Sequence, residues 1–249
     1  MHLHLDEGAV KVDAWGPGAA WAAEHAPALC GELDDESGFR PRERALLDAW
    51  RRHPGMRVPR SEAVFEALVP AVLTQKVTTV EAHKSYCALV SALGEPAPGP
   101  VTLHVPPPAS VMAKQPYWRL HRFGIERRRA DVIVTAARSV KRVEETVGMD
   151  LPDAWARLQA FPGVGPWTAA KVALVALGDA DAVPVGDYHL PHMVGYFFDG
   201  TARSTDERML QLLEPYRGHR ARVIRLLIMA GASAPRFGPK VELRNFSKN

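Results

Sequence analysis

The first dozen residues alternate weakly between polar and apolar, and most of the remaining chain repeats with the longer period of a helix. His2 to Val12, with Val10, Val12 and Ala14 on the apolar positions, predicts one or two strands ahead of the Gly16-Pro17-Gly18 break. Ala19 to Leu29 reads as a helix. Ser61 can cap a further helix that runs toward Leu93 with a kink or break at Pro70. Prolines at 96, 98, 100, 106, 107 and 108 make residues 95 to 110 an extended connector. Helices are then expected at about 111–120, 126–147, 153–160, 166–177, 187–198, 205–214 and 218–231. The pattern is that of a mainly α fold with a short β-containing N-terminal extension, residues 1–40. A helical body occupies 41–235, and a tail 236–249.

One stretch of this pattern carries chemistry. Asp153 can cap a short helix, Ala154 to Ala160, in which Trp155, Leu158 and Phe161 mark a buried face. Gly163 and Gly165 permit a reversal within very few residues, and Pro166 suits the first position of a new helix, which stops at Gly178. The turn leaves free amides around Val164 to Thr168 at a helix N-terminus. Free amides and the helix dipole together attract an anion, and a site of this kind can hold a DNA phosphate without reading a base. A plain helix-helix turn is the other reading of the same glycines and prolines. Asp187 comes next, in Val-Pro-Val-Gly-Asp-Tyr-His, where a carboxylate can cap the next helix, act on a bound nucleotide, or do both.

Composition narrows the field. A chain of 249 residues with 47% apolar content can bury a full core. No run reaches transmembrane length and no signal-peptide pattern opens the chain, so a cytoplasmic protein is expected. Two cysteines, Cys30 and Cys87, cannot ligate an iron–sulfur cluster that needs four. The ten histidines show no Cys/His or His-Glu-x-x-His spacing. Net charge is only +3, but residues 1–37 hold one lysine against eight carboxylates, a balance of −7 that leaves +10 on the rest. A basic body is what binding to phosphate requires, with affinity that falls as salt rises; a merely solvated basic surface is the alternative.

The run Leu158-Gln-Ala-Phe-Pro-Gly-Val-Gly-Pro-Trp-Thr-Ala169, with Asp187 beyond it, resembles the helix-hairpin-helix-GPD superfamily of DNA glycosylases, and within it the bacterial 3-methyladenine DNA glycosylase II type. Leu73 to Thr78 is similar to the family's early wedge-bearing turn, Gly124 to Ala130 to a Gly-x-x-x-(Lys/Arg)-Ala segment, and Pro215 to Arg220 to the segment that closes the base pocket. The resemblance covers roughly residues 58–230 and implies a two-lobed helical fold. It implies a monomer that binds double-stranded DNA containing damaged bases. Asp187 would be catalytic, and Trp167, Lys171, Tyr188 and His219 would contact the base. Gln75, Lys76, Gly163, Val164, Gly165 and Thr168 would contact DNA, with either Gln75 or Lys76 as the wedge. The backbone carbonyls of Gln159, Phe161 and Val164 would hold a sodium or potassium ion; no other cofactor is implied.

Trp167 stands where strand-cutting members of the superfamily carry a Schiff-base lysine, so the resemblance implies a monofunctional enzyme that uses water. Its ring would favour a cationic alkylated purine. His219 and Lys171 replace aromatic residues of the family, which keeps deaminated or oxidised bases open as substrates. A non-catalytic DNA-binding protein built on the same hairpin is the remaining alternative.

Overall fold

The computed structural model describes residues 1–235; the tail expected over 236–249 lies outside the described residues. β1 (His2–Asp6) and β2 (Ala9–Asp13) form an antiparallel hairpin with His2 opposite Asp13. Its two-residue turn, Glu7-Gly8, has both φ angles positive, the geometry that matches strand twist. The helices are α1 (Ala19–Leu29), α2 (Arg44–Arg52), α3 (Val64–Leu73), α4 (Thr79–Leu93), α5 (Ala109–Met112), α6 (Tyr117–His121), α7 (Arg127–Arg138), α8 (Val140–Glu144), α9 (Leu151–Gln159), α10 (Pro166–Val172), α11 (Leu190–Asp199), α12 (Asp206–Leu213) and α13 (Arg220–Met229). The proline-rich connector is extended as expected, with one small pairing between β3 (Glu95–Pro96) and β4 (His104–Val105).

Several boundaries differ from the sequence expectation. The helix expected from Ser61 to Leu93 breaks at residues 74–78 rather than at Pro70, which lies within α3. Thr78 and Glu81 form a reciprocal capping box that restarts the chain as α4, so the break is set by a new cap and not by the proline. Ser61 does not cap α3. Its first amides, from Val64 and Phe65, donate instead to the carboxylate of Glu144 on α8. Likewise α9 starts three residues early because Asp150, not Asp153, accepts the capping bond.

Two cores divide the described residues. Leu68, Leu73, Leu120, Ile133, Leu158 and Val172 belong to the first, which runs from α3 through α10 to Ala182 and takes in Ala221 of α13. Phe39, Leu46, Met193, Leu213 and Leu226 belong to the second, which joins the segment around α2 to the C-terminal helices. The middle of the chain is therefore one lobe, and its two ends build the other. The first core includes Ala182 and the second takes up again at Val183, so the chain crosses between lobes there. Asp187 lies within five residues of that crossing.

Candidate active site at the lobe junction

The hairpin is built by α9, a tight turn and α10. Val164 donates to the carbonyl of Phe161 and is buried, which pins the turn to the first core. Gly163 takes φ +86, a left-handed angle that favours glycine, and a Cβ there would stand 2.3 Å from Val132 Cγ2. Gly165 departs from the expectation that both glycines are needed for backbone angles. Its φ is −89, which any residue adopts, and an added Cβ would meet nothing within 4 Å. The amides of Gly163, Gly165, Trp167 and Thr168 find no acceptor among the described residues. They are free to meet an anion.

The two glycines should therefore separate fold from binding. Gly163→Ala is expected to cost about 1–3 kcal/mol of stability through backbone strain and overpacking. Gly165→Ala should leave stability within about 0.5 kcal/mol of the parent yet weaken binding to damaged and undamaged duplex alike, because its methyl projects into the open space beside its own free amide, where a phosphate would approach. Thermal melts and duplex titrations read the two effects. Parent-like DNA affinity in a folded Gly165→Ala variant would show that phosphate does not approach this turn.

Around the hairpin, Gln75 Nε2 donates to the Gly163 carbonyl at 3.0 Å and to Thr168 Oγ1 at 2.9 Å. Thr168 is buried by this arrangement. Gln75 is thus latched to the hairpin, whereas its neighbour Lys76 is exposed and holds φ +55, a left-handed angle costly for a lysine. Of the three arginines that precede Ala130, Arg127 and Arg128 are exposed on α7, while Arg129 is buried and donates to the Leu73 carbonyl.

Asp187 occupies the junction. Its Oδ1 accepts the amides of His189 at 2.8 Å and Leu190 at 3.1 Å, so it caps the start of α11. Its Oδ2 accepts the indole N–H of Trp167 at 2.9 Å, a bond from one lobe to the other. Together the three donors fix the orientation of the carboxylate. Lys171, one turn along α10, places Nζ 4.7 Å from the centre of the Trp167 ring. Burial pushes the lysine below its ordinary pKa, and the nearby Asp187 carboxylate draws it partly back. Asp187, Trp167 and Lys171 therefore form one cluster.

Tyr188 is 79% exposed beside this cluster, with its ring edge-on to His189 and His192. His219 sits elsewhere, in the second lobe, against Phe39 and with Nδ1 accepting from Arg222 at 3.3 Å. Burial and the Arg222 charge lower its pKa. The segment that carries it is held by neighbours far along the chain. Tyr216 donates to the Glu43 carboxylate, and burial with that partner pushes the phenol up to about 12. Arg220 grips Asp181 through two bonds. Cavities of about 260 and 320 Å³ lie apart from Asp187; the larger is lined by Phe65, Glu66, Tyr86 and Met112. Sequence spacing missed one cluster: the hairpin brings His2, His4 and Asp13 ligand atoms within 4.8 Å of one another, because cross-strand pairing joins residues eleven apart.

No protein-family model matches the chain. A Mycobacterium tuberculosis protein described as a probable bifunctional transcriptional activator/DNA repair enzyme AlkA is 36% identical over 140 residues, 55% of this chain and 28% of that protein. DNA-3-methyladenine glycosylase 2 of Escherichia coli is 29% identical over 171 residues, 67% of this chain and 58% of that enzyme. The chain thus spans under two thirds of either curated relative. The solved 3-methyladenine DNA-glycosylase of Archaeoglobus fulgidus superposes with a TM-score of 0.70 at 21% identity, covering 89% of this chain and 77% of that one. No described helix is long and apolar enough to cross a membrane. The chain is a homologue of AlkA and 3-methyladenine DNA glycosylase II, and it has the helical fold of the helix-hairpin-helix DNA glycosylases.

Proposed function

We propose that the protein is a monofunctional DNA glycosylase that hydrolyses the N-glycosidic bond of a damaged purine flipped out of duplex DNA. The observation that carries this reading is the position of the Asp187 carboxylate, held by three donors at the lobe junction and tied through Trp167 to the second helix of the hairpin. Free hairpin amides would anchor the backbone phosphate. As the bond from C1′ to the base breaks, positive charge develops on the sugar, and a fixed carboxylate beside it lowers the barrier. The same carboxylate can orient and deprotonate the attacking water. Lys76 would be the side chain that fills the emptied stack, a reading supported by its exposure and by the latch that ties down Gln75.

The hairpin carbonyls suit a cation. Those of Gln159 and Val164 accept no hydrogen bond among the described residues, and that of Phe161 accepts one, from Val164. Hard oxygen donors of this kind fit sodium or potassium, which would add positive charge facing the phosphate.

The names of the relatives make an alkylated adenine the first substrate to try. Incubation with duplex bearing 3-methyladenine should release the free base and leave the strand whole until alkali is added. Borohydride should trap no covalent enzyme–DNA adduct, since Trp167 cannot form an imine. No base release from any lesion duplex would make the protein a DNA binder only. Efficient trapping would replace hydrolysis with attack by a lysine.

A further inference from the structure

Lys171 is half-buried and, among the described residues, enters no hydrogen bond or ion pair. Its ammonium lies over the Trp167 ring while the edge of that ring is bonded to Asp187. Three N–H donors thus remain unused beside the carboxylate assigned to the sugar. One face of the Trp167 ring is thus already engaged by a cation, and a second positive charge beside it is repelled.

The leaving group decides what such an ammonium can do. An N-alkylated purine carries a positive charge and departs as a neutral molecule, so it needs no proton. An uncharged purine departs as an anion unless an acid supplies one. We propose that Lys171 is that acid, and that release of uncharged purine lesions depends on it while release of cationic ones does not. The C1′–N9 bond breaks with its electron pair going to the base, and the Lys171 ammonium gives a proton to a ring nitrogen of the base. Water adds to C1′ and loses a proton to Asp187, which passes it to solvent, and Lys171 regains its proton from solvent. Burial assists, because an ammonium held below the ordinary lysine pKa gives up its proton more readily.

This inference rests on the glycosylase reading, and two probes keep the two apart: duplexes bearing hypoxanthine, which is uncharged, and 7-methylguanine, which is cationic. Single-turnover release is measured for the parent and for Lys171→Met, which keeps the apolar stem, with melting curves to confirm that the variant folds. The parent should release both bases. Lys171→Met should lose at least ~10²-fold more on hypoxanthine than on 7-methylguanine. Parallel loss on both bases, or loss on neither, overturns the assignment. A parent that releases only 7-methylguanine overturns it and leaves the glycosylase reading standing; a parent that releases neither overturns both.

Discussion

Asp187→Asn should abolish base release, with a loss of at least ~10²-fold in single-turnover rate and duplex affinity unchanged or raised. The substitution removes the charge that would oppose the developing sugar cation, and the amide cannot take a proton from water. Binding survives because the proposed phosphate site is made of backbone amides of the hairpin turn and the first turn of α10, not of the Asp187 carboxylate. One local change accompanies the loss: an amide nitrogen turned toward Trp167 would set donor against donor where Oδ2 now accepts the indole N–H. The opposite amide orientation would turn that nitrogen toward the His189 and Leu190 amides instead. A modest fall in melting temperature is therefore expected beside the kinetic effect. A variant that excises within a few-fold of the parent would reduce Asp187 to the helix cap that its contacts also make it.

The parts of the site that sequence reveals are those set by short-range geometry. Gly163, Pro166 and the helical runs on either side determine a reversal within a few positions, and α10 begins at the expected residue. Asp187 is legible because Gly186 precedes it and a helix begins just beyond it. Its bond to Trp167 is not, since spacing along the chain says nothing of which way an indole points. The same limit applies to helix caps. Glu144 satisfies the first amides of α3 from about eighty residues away, so Ser61, the candidate visible in the local sequence, is the wrong one.

Helix α2 shows a different limit. Residues 44–52 carry Leu46, Ala49 and Trp50 at helical spacing, a stripe that signals an amphipathic helix absent from the sequence expectation. Arg51 and Arg52 in its last turn also suit the dipole. Its burial depends on α13, which approaches only when the ends of the chain meet in the second lobe. The sequence pattern sets residues 1–40 apart as an extension preceding the body, yet Phe39 belongs to the second core.

That junction is also where the acidic block becomes structural, and it sets the largest expected loss of stability. Asp34→Ala should destabilise the protein by about 3–5 kcal/mol, a large part of the ~5–15 kcal/mol that holds a typical domain folded. Asp34 accepts two bonds from Arg222, at 2.6 and 2.8 Å, and a third from the Val58 amide at 2.9 Å. The Arg222 and Asp34 side chains are 0% and 2% exposed. Removing the carboxylate leaves a guanidinium buried in the second lobe with the Asp35 carbonyl and His219 as its remaining partners. The adjacent Glu36–Arg57 pair is only partly buried, and its loss should cost no more than about 1 kcal/mol. Arg222→Met in the Asp34→Ala background removes the stranded charge and should recover part of the loss, a coupling that a double-mutant cycle by denaturant unfolding would measure. Additive losses in that cycle would show that the pair is not the clamp between the N-terminal segment and α13.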